Sequence, residues 1–444
     1  YYIMIDGSFG NDCDYTVSAT SGVKTITLTA SASTICDGQS VTLTASSGGS
    51  AYKWLPGGQT TPSITVSPST TTTYTCEVTG ACDLVQKPTV KVTVKPKPVA
   101  TATPSSQTFC SGGTTSIALT SSMGSTTYSW GVTKTGGATT GSSAGSGSSI
   151  SQTLNATGTT AGIVTYNVTP TSGGCAGNVL DVPITVNPVP ILTTTPSSET
   201  FCSGGTTNIA LTSNVAGTTF SWIVKTVTGV TGASAGSGTS IAQTLTTSGT
   251  VAGSVTYEIT PTSAAPASCA GAKKTVTITV NPRPTITPTV TSQNICSGGS
   301  TSIGLQSDIV GTTYSWTVAV TGGVTGASNG SGSNIVQTLT ASGTTTGTVE
   351  YTITATTPAP AGCTNSVVTK IPVTVYPIPT ISINTPAAIC EGQSVSLTAT
   401  VAPVGGTFLW TPGNLTTNPI NVSPATTTSY NVQYTVNGCS NSAS

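Results

Sequence analysis

Cysteine is the residue type in this chain whose number and spacing could do chemistry. The sequence holds twelve in 444 residues. Ten form five opening–closing pairs: Cys36 and Cys82, Cys110 and Cys175, Cys202 and Cys269, Cys296 and Cys363, Cys390 and Cys439. Every opening reads Cys-x-Gly, and no two cysteines stand in a Cys-x-x-Cys spacing. That pattern lacks the close pair of a zinc site or a redox motif and instead suits structural disulfides made in an oxidising, extracellular setting. Cys13 reads as the closing cysteine of a unit whose opening lies upstream. Cys76 is extra, and is read either as a buried thiol or as a local partner of Cys82.

Other chemistry is hard to assemble from this composition. Histidine is absent, which removes the commonest general base, the commonest metal ligand and the Ser-His-Asp triad together. Twelve acids are spread without a recurring pair, too few for a calcium cage in each repeat. The Gly/Ser-rich runs at 141–149, 232–240 and 326–334 lack the Gly-Lys-Ser/Thr of a phosphate loop. The chain is therefore read as no enzyme, with no cofactor or metal and no catalytic residue. Only 5% of its residues are charged and the net charge is zero, against a usual charged share of about 25%. No basic footprint for nucleic acid results, and no apolar run reaches the roughly 18 residues of a membrane span.

The elements that must position the cysteines recur with them. Each pair brackets one tryptophan, and Trp54, Trp130, Trp222, Trp316 and Trp410 are all the tryptophans in the chain. An aromatic stands two residues before each, and Tyr74, Tyr166, Tyr257, Tyr351 and Tyr430 follow later in each unit. Between them lie short Val/Ile/Thr segments with period-two alternation, such as 207–212, 255–259 and 275–280, bounded by Gly and Pro. This reads as a tandem array of antiparallel β-sandwiches of the immunoglobulin type, all-β throughout, with the five Trp and five Tyr in the cores. Tyr434, by contrast, is left outside the core set.

Pro-x-Pro at 96–98, 188–190, 282–284 and 377–379 ends the last strand of each unit, because proline fixes φ and lacks the ladder donor. The expected boundaries are 1–30 for the tail of a preceding repeat and 31–97 for a short repeat. Long repeats follow at 98–189, 190–283 and 284–378, and a short repeat at 379–444. The long repeats carry the Gly/Ser insertions, and the short ones lack them. The whole is expected to belong to a longer exported protein.

Two cysteine pairings stay open. A bridge within each repeat, such as Cys110–Cys175, is the default. Opening and closing cysteines should, however, lie at opposite ends of one sandwich, further apart than the ~7 Å a disulfide allows. A head-to-tail array would instead permit Cys36–Cys175, Cys110–Cys269, Cys202–Cys363 and Cys296–Cys439.

The segment Ile-Cys-Glu-Gly-Gln-Ser-Val-Ser-Leu-Thr-Ala (389–399), with Trp410-Thr-Pro-Gly and Asn-Gly-Cys439 after it, resembles the PKD-like and immunoglobulin-like repeats of Bacteroidota surface proteins. So does Thr-Phe-Cys-Ser-Gly-Gly-Thr-Thr at 108–115 and 200–207. The resemblance implies a PKD-like β-sandwich array within a cell-surface adhesin, of the gliding-motility kind exported by the type IX route. The expected function is a stalk segment of an extracellular fibre, stiffened by disulfides and Pro-x-Pro joints. Two alternatives are a binding or self-assembly module acting through the Gly/Ser loops, and ancillary repeats of a secreted hydrolase. Expected partners are other repeats of the same protein, copies associating laterally into filaments, and surface glycans met by a tip outside this chain.

Overall fold

The computed structural model describes residues 24–444. Cys13 and most of the 1–30 segment lie outside the described residues. The described residues form strands and turns, and the one helical segment among them is the 3-10 turn Ala81–Asp83, which carries Cys82. They fall into two compact units. One runs up to Val189 and includes Ser263–Cys269; the other comprises Pro190–Thr262 and Ala270–Ser444.

The first unit contains a short and a long sandwich. In the short one, the strands Thr34–Cys36, Thr89–Lys95, Thr72–Thr79 and Ala51–Leu55 form one sheet in that order, and Leu28–Ala30, Val41–Ala45 and Ser63–Val66 form the other. In the long one, the order Gln107–Cys110, Leu180–Asn187, Gly162–Ser172, Thr127–Gly136, Gly145–Ser146 faces Ala100–Thr103, Ile117–Ser121 and Ser149–Ile150. The strand that ends on the opening cysteine pairs parallel with the closing strand, so Phe109 stands opposite Val186. All its other neighbours pair antiparallel.

The second unit repeats the long pattern twice. Ser198–Cys202 and Gln293–Cys296 pair parallel with the closing strands Lys274–Asn281 and Thr369–Tyr376. A last, short sandwich has the sheet Thr407–Thr411, Asn431–Val436, Cys439–Ala443.

Alternation explains why these segments are strands. Successive side chains point to opposite faces, so Val41-Thr-Leu-Thr-Ala45 buries every second residue. Gly162–Ser172 does the same with Val164, Tyr166 and Val168. In register, Trp130 faces Val168 and Tyr166 faces Val182 across the ladder, the cross-strand pairing that stabilises a sheet. Each of the five apolar cores is built around one tryptophan. Burying each Val or Ile of such a core contributes roughly 1.5–3 kcal/mol.

The tyrosines depart from expectation at two positions. Tyr74, Tyr166, Tyr257 and Tyr351 are buried, but Tyr430 is only partly buried against its core. The backbone around it, 423–430, joins no strand, so no neighbouring strand closes over the ring. Tyr434, left out of the core set, is 1% exposed. Its ring lies 4.8 Å from that of Phe408. Its hydroxyl donates to the Pro403 carbonyl (2.9 Å) and accepts from the Gly406 N–H (2.7 Å), so a polar tip is satisfied inside the fold.

Candidate functional site

Two recurring constellations carry what is distinctive here: the cysteine staples and a Thr–Gln–Tyr network beneath the Gly/Ser insertions.

The staples join Cys36 to Cys175, Cys110 to Cys269, Cys202 to Cys363 and Cys296 to Cys439, with Cα–Cα distances of 5.6–5.7 Å. In each of these four staples the opening cysteine bonds to the closing cysteine of the following repeat, and no bridge forms within a repeat among the described residues. The reason is positional. The opening cysteine ends a strand laid beside the closing strand, whereas the closing cysteine sits in the hairpin after the long strand Gly162–Ser172 or its equivalents. A strand length separates the two within one sandwich. The closing cysteines are buried, at 0–2% exposure. Two have their backbone N–H capped by a hydroxyl, Cys269 by Ser263 (2.9 Å) and Cys363 by Thr357 (2.8 Å).

Cations bracket two staples. Lys95 Nζ donates to the Gly173 carbonyl at 2.8 Å, beside Cys36–Cys175. Arg283, the single arginine of the sequence, donates from Nε to the Ser203 carbonyl (2.8 Å) and from Nη1 to the Thr364 carbonyl (2.9 Å). Those carbonyls belong to the residues after Cys202 and Cys363, so one planar guanidinium clamps both sides of that disulfide.

Two cysteines stand apart. Cys76 is a free thiol buried in its core, and burial pushes its pKa up, which makes it a small apolar side chain and not a nucleophile. Cys390, expected in a disulfide, is a free and exposed thiol.

The second constellation occurs three times. In the first long sandwich, the buried Thr115 hydroxyl donates to the Ile150 carbonyl (3.0 Å) and accepts from the Gln152 N–H (2.9 Å). The Gln152 side chain then clamps Ser143, accepting from its N–H (2.9 Å) and donating to its carbonyl (3.0 Å). The Tyr166 hydroxyl donates to the same Gln152 Oε1 at 2.8 Å. Thr207, Gln243, Ser234 and Tyr257 repeat this, as do Thr301, Gln337, Ser328 and Tyr351.

The glycines complete the arrangement. A Cβ on Gly145, Gly236 or Gly330 would stand 2.8, 2.7 or 2.6 Å from Cζ2 of Trp130, Trp222 or Trp316. The insertion therefore lies flat over the indole only because it carries no side chain there. Trp222 and Trp316 donate their indole N–H to the carbonyls of Ser234 and Ser328 at 3.2 Å. The Gly/Ser runs are thus lids over the tryptophan, pinned by one glutamine each. Burial pushes the Tyr166 and Tyr257 phenols up to about 12, which keeps them neutral donors to that glutamine. The glutamines went unnoticed in the sequence. Their signal was available, since each lies nine residues after the serine it clamps in all three long repeats.

Nothing in either constellation is arranged for acid–base or metal chemistry. Among the described residues no group of His, Cys, Asp and Glu could hold a metal ion. Among the described residues no helix is long and apolar enough to cross a membrane.

Known proteins place this architecture. The PKD-like domain family matches residues 107–190, 199–284 and 293–379. No curated protein matches the sequence. Among solved structures, the chain is similar at 11% identity to the N-terminal eight Ig domains of Down Syndrome Cell Adhesion Molecule, with a TM-score of 0.32. That match covers 94% of this chain and 59% of the other, so this chain spans less than two thirds of it. Drosophila N-cadherin EC1-4 matches at 11% identity over 76% of this chain and 96% of its own, TM-score 0.22. Titin domains I67–I69 match at 11% identity over 57% and 96%, TM-score 0.27.

Proposed function

The chain belongs to the PKD-like domain family, and from that premise we propose that it is a non-catalytic stalk segment of an extracellular fibre or cell-surface adhesin. Its task is mechanical: to hold a binding tip away from the surface and to survive load and proteases there. The gliding-adhesin kind of surface protein, exported by the type IX route, is the setting the sequence resemblance favours. The observation that carries the reading is the overlap of the four disulfides. The opening cysteine of each later staple lies inside the ring closed by the one before it.

That overlap limits how far the chain can lengthen. With the staples closed, the shortest covalent path from Cys36 to Cys439 runs through the 65 residues from Cys175 back to Cys110 and the 27 from Cys269 to Cys296. Without them it runs through 403 residues. At about 3.4 Å per extended residue these are roughly 300 Å and roughly 1,400 Å.

Single-molecule stretching tests this. The expected result is a short, capped extension under oxidising conditions and a several-fold longer one after reduction. Identical profiles in both conditions would overturn the load-bearing role. The competing loop-binding reading is less well supported, because the Gly/Ser runs are consumed in covering their own tryptophans.

A further inference from the structure

The three lids share one clamp, so what sets them apart is a few side chains. Thr139, Ser142 and Ala144 of the first stand where the second has Val230, Ala233 and Ala235 and the third has Val324, Ala327 and Asn329. In the second and third long sandwiches the Val and the first Ala pack into the apolar core. In the first, hydroxyl residues hold both places.

The exchange keeps the shape and changes the chemistry. A Cβ on Gly162 would strike Thr139 Cγ2, as one on Gly253 or Gly347 would strike Cγ2 of Val230 or Val324. Thr139 therefore fills the valine seat, at 8% exposure, with a hydroxyl in place of one methyl. Such a swap conserves volume but not free energy. Among the described residues, four buried side-chain polar atoms lack a hydrogen-bond partner: Trp130 Nε1, Thr139 Oγ1, Ser142 Oγ and Thr194 Oγ1. Three of these four belong to the first lid and the tryptophan beneath it, and none to the second or third lid. A buried polar group without a partner bears its full desolvation cost, which contact with water removes.

The anchors localise any movement. Before the run, Lys134 Nζ donates to the Thr139 carbonyl at 3.1 Å, and Thr139–Thr140 pairs with Asn155–Ala156. After it, Ser149–Ile150 pairs with Ile117–Ala118. Between them the Gln152 clamp, the pairing of Gly145–Ser146 with Ser129–Trp130, and a bond from the Gly147 N–H to the Tyr128 carbonyl (3.1 Å) hold 141–148 down. The second and third lids have the same holds. The third adds one, since Asn329 Oδ1 accepts from the Val318 N–H at 2.9 Å. The holds are thus at least equal in the other two lids, while the unpaired polar atoms lie under the first.

We propose that the 141–148 lid is a hinged cover that opens within the folded sandwich, while the 232–239 and 326–333 lids stay shut by comparison. Opening lets water reach Trp130 Nε1, Thr139 Oγ1 and Ser142 Oγ and uncovers the Trp130 ring. Closure is held by the clamp and opening is favoured by the three orphaned groups, so the two states lie close in free energy in this lid alone of the three. This inference stands apart from the stalk proposal, since it concerns the cover of one core whether or not the chain bears load.

The test reads each lid separately in the full chain. The Ser143, Ser234 and Ser328 N–H groups each donate to their own glutamine, at 2.9, 2.9 and 3.1 Å, so their exchange with solvent reports opening. Under conditions where exchange follows the open population, and corrected for intrinsic rates, Ser143 is expected to exchange roughly tenfold or more faster than Ser234 and Ser328. The core-strand amides of Gly162–Ser172 should not share that difference. Ser142→Ala with Thr139→Val should slow Ser143 to the rate of Ser234, and Ala233→Ser with Val230→Thr should quicken Ser234 by a similar factor. Hydroxyl-radical labelling should modify Trp130 ahead of Trp222 and Trp316, and lose that preference in the Ser142→Ala, Thr139→Val chain. Equal exchange at the three serines overturns the proposal, as does a Ser143 rate unmoved by the apolar pair. Fast exchange shared by Ser143 and the Gly162–Ser172 amides also overturns it, because the whole sandwich would then be the opening unit. If the Ala233→Ser, Val230→Thr chain fails to fold, the apolar pair decides alone, since it installs residue types that the other two lids already carry.

Discussion

The long and short sandwiches solve one problem by two routes. Each buries a tryptophan whose indole N–H needs an acceptor. In the short sandwiches a tight loop supplies it seven residues on: Trp54 donates to the Thr61 carbonyl (2.9 Å) and Trp410 to the Thr417 carbonyl (3.0 Å). Both rings are 0% exposed. In the long sandwiches the acceptor comes twelve residues on, from the Gly/Ser lid. The rings there are 7% exposed, and Trp130 finds no acceptor at all. The short loop seals the ring better, so the lid is a costlier cover. It needs side-chain-free residues over the indole and a glutamine clamp to hold them. The comparison teaches that a glycine-rich run can be a tightly specified part of a core.

Removing the ring itself should matter most in both classes. Trp54→Ala and Trp222→Ala are each expected to destabilise their sandwich by about 3–5 kcal/mol, read by hydrogen exchange of the affected strands within the full chain. A much smaller loss for Trp222 would mean that the lid collapses into the hole. Glycine substitutions should then separate the classes. Gly236→Ala drives a methyl into the Trp222 ring and should cost about 1–3 kcal/mol. Gly58→Ala in the short loop meets no atom within 4 Å and has φ +71°, so it should cost only the left-handed backbone strain of about 1–2 kcal/mol. Equal costs measured by denaturant unfolding would remove the distinction.

Gln243→Ala should follow at about 1–2 kcal/mol, because the buried Thr207 and Tyr257 hydroxyls keep only part of their network. In the last short sandwich the counterpart is Asn418, beside the Thr417 acceptor; its side chain accepts from the Ala399 N–H and donates to the Ala399 carbonyl, each at 2.8 Å. Amide exchange at Ser234 should rise in that variant while Tyr257 stays buried.

The smallest effect is electrostatic. Glu258 accepts from Lys273 and Lys225, each at 2.9 Å, and these hydrogen bonds hold its carboxyl down to about 2. A depressed carboxylate contributes stability that is complete above its unfolded value, near pH 4.5, and is lost as pH falls toward 2. The sandwich that holds Glu258 in the strand Gly253–Thr262 should therefore weaken slightly over that window, and Glu258→Gln should remove that dependence. The carboxylate is exposed, so the effect is modest. A pH profile unchanged by Glu258→Gln would count against the pair.

Much of this was legible in the residues because it is local. Alternation gave the strands, one tryptophan per repeat gave the cores, and strand length cast doubt on bridges within a repeat. The lids were opaque for a physical reason. Glycine over an indole is a non-local demand, and the sequence shows only a run that looks like flexible linker. Tyr434 was missed because it occurs in one repeat alone, where the other four have Val78, Pro170, Pro261 and Ala355 facing the same aromatic partner. Tyr430 was placed in the core by analogy with its counterparts, but the 423–430 backbone around it joins no strand and its ring stays only partly buried.

The interleaved staples also bear on cutting. Every peptide bond between Cys36 and Cys439 lies inside at least one disulfide-closed ring, and those in 110–175, 202–269 and 296–363 lie inside two. A protease that nicks the backbone once anywhere in that span releases no fragment. Two cuts free a piece only when no staple joins it to the remainder. The chain is in this sense a splinted cable: a single break in a strand leaves it whole.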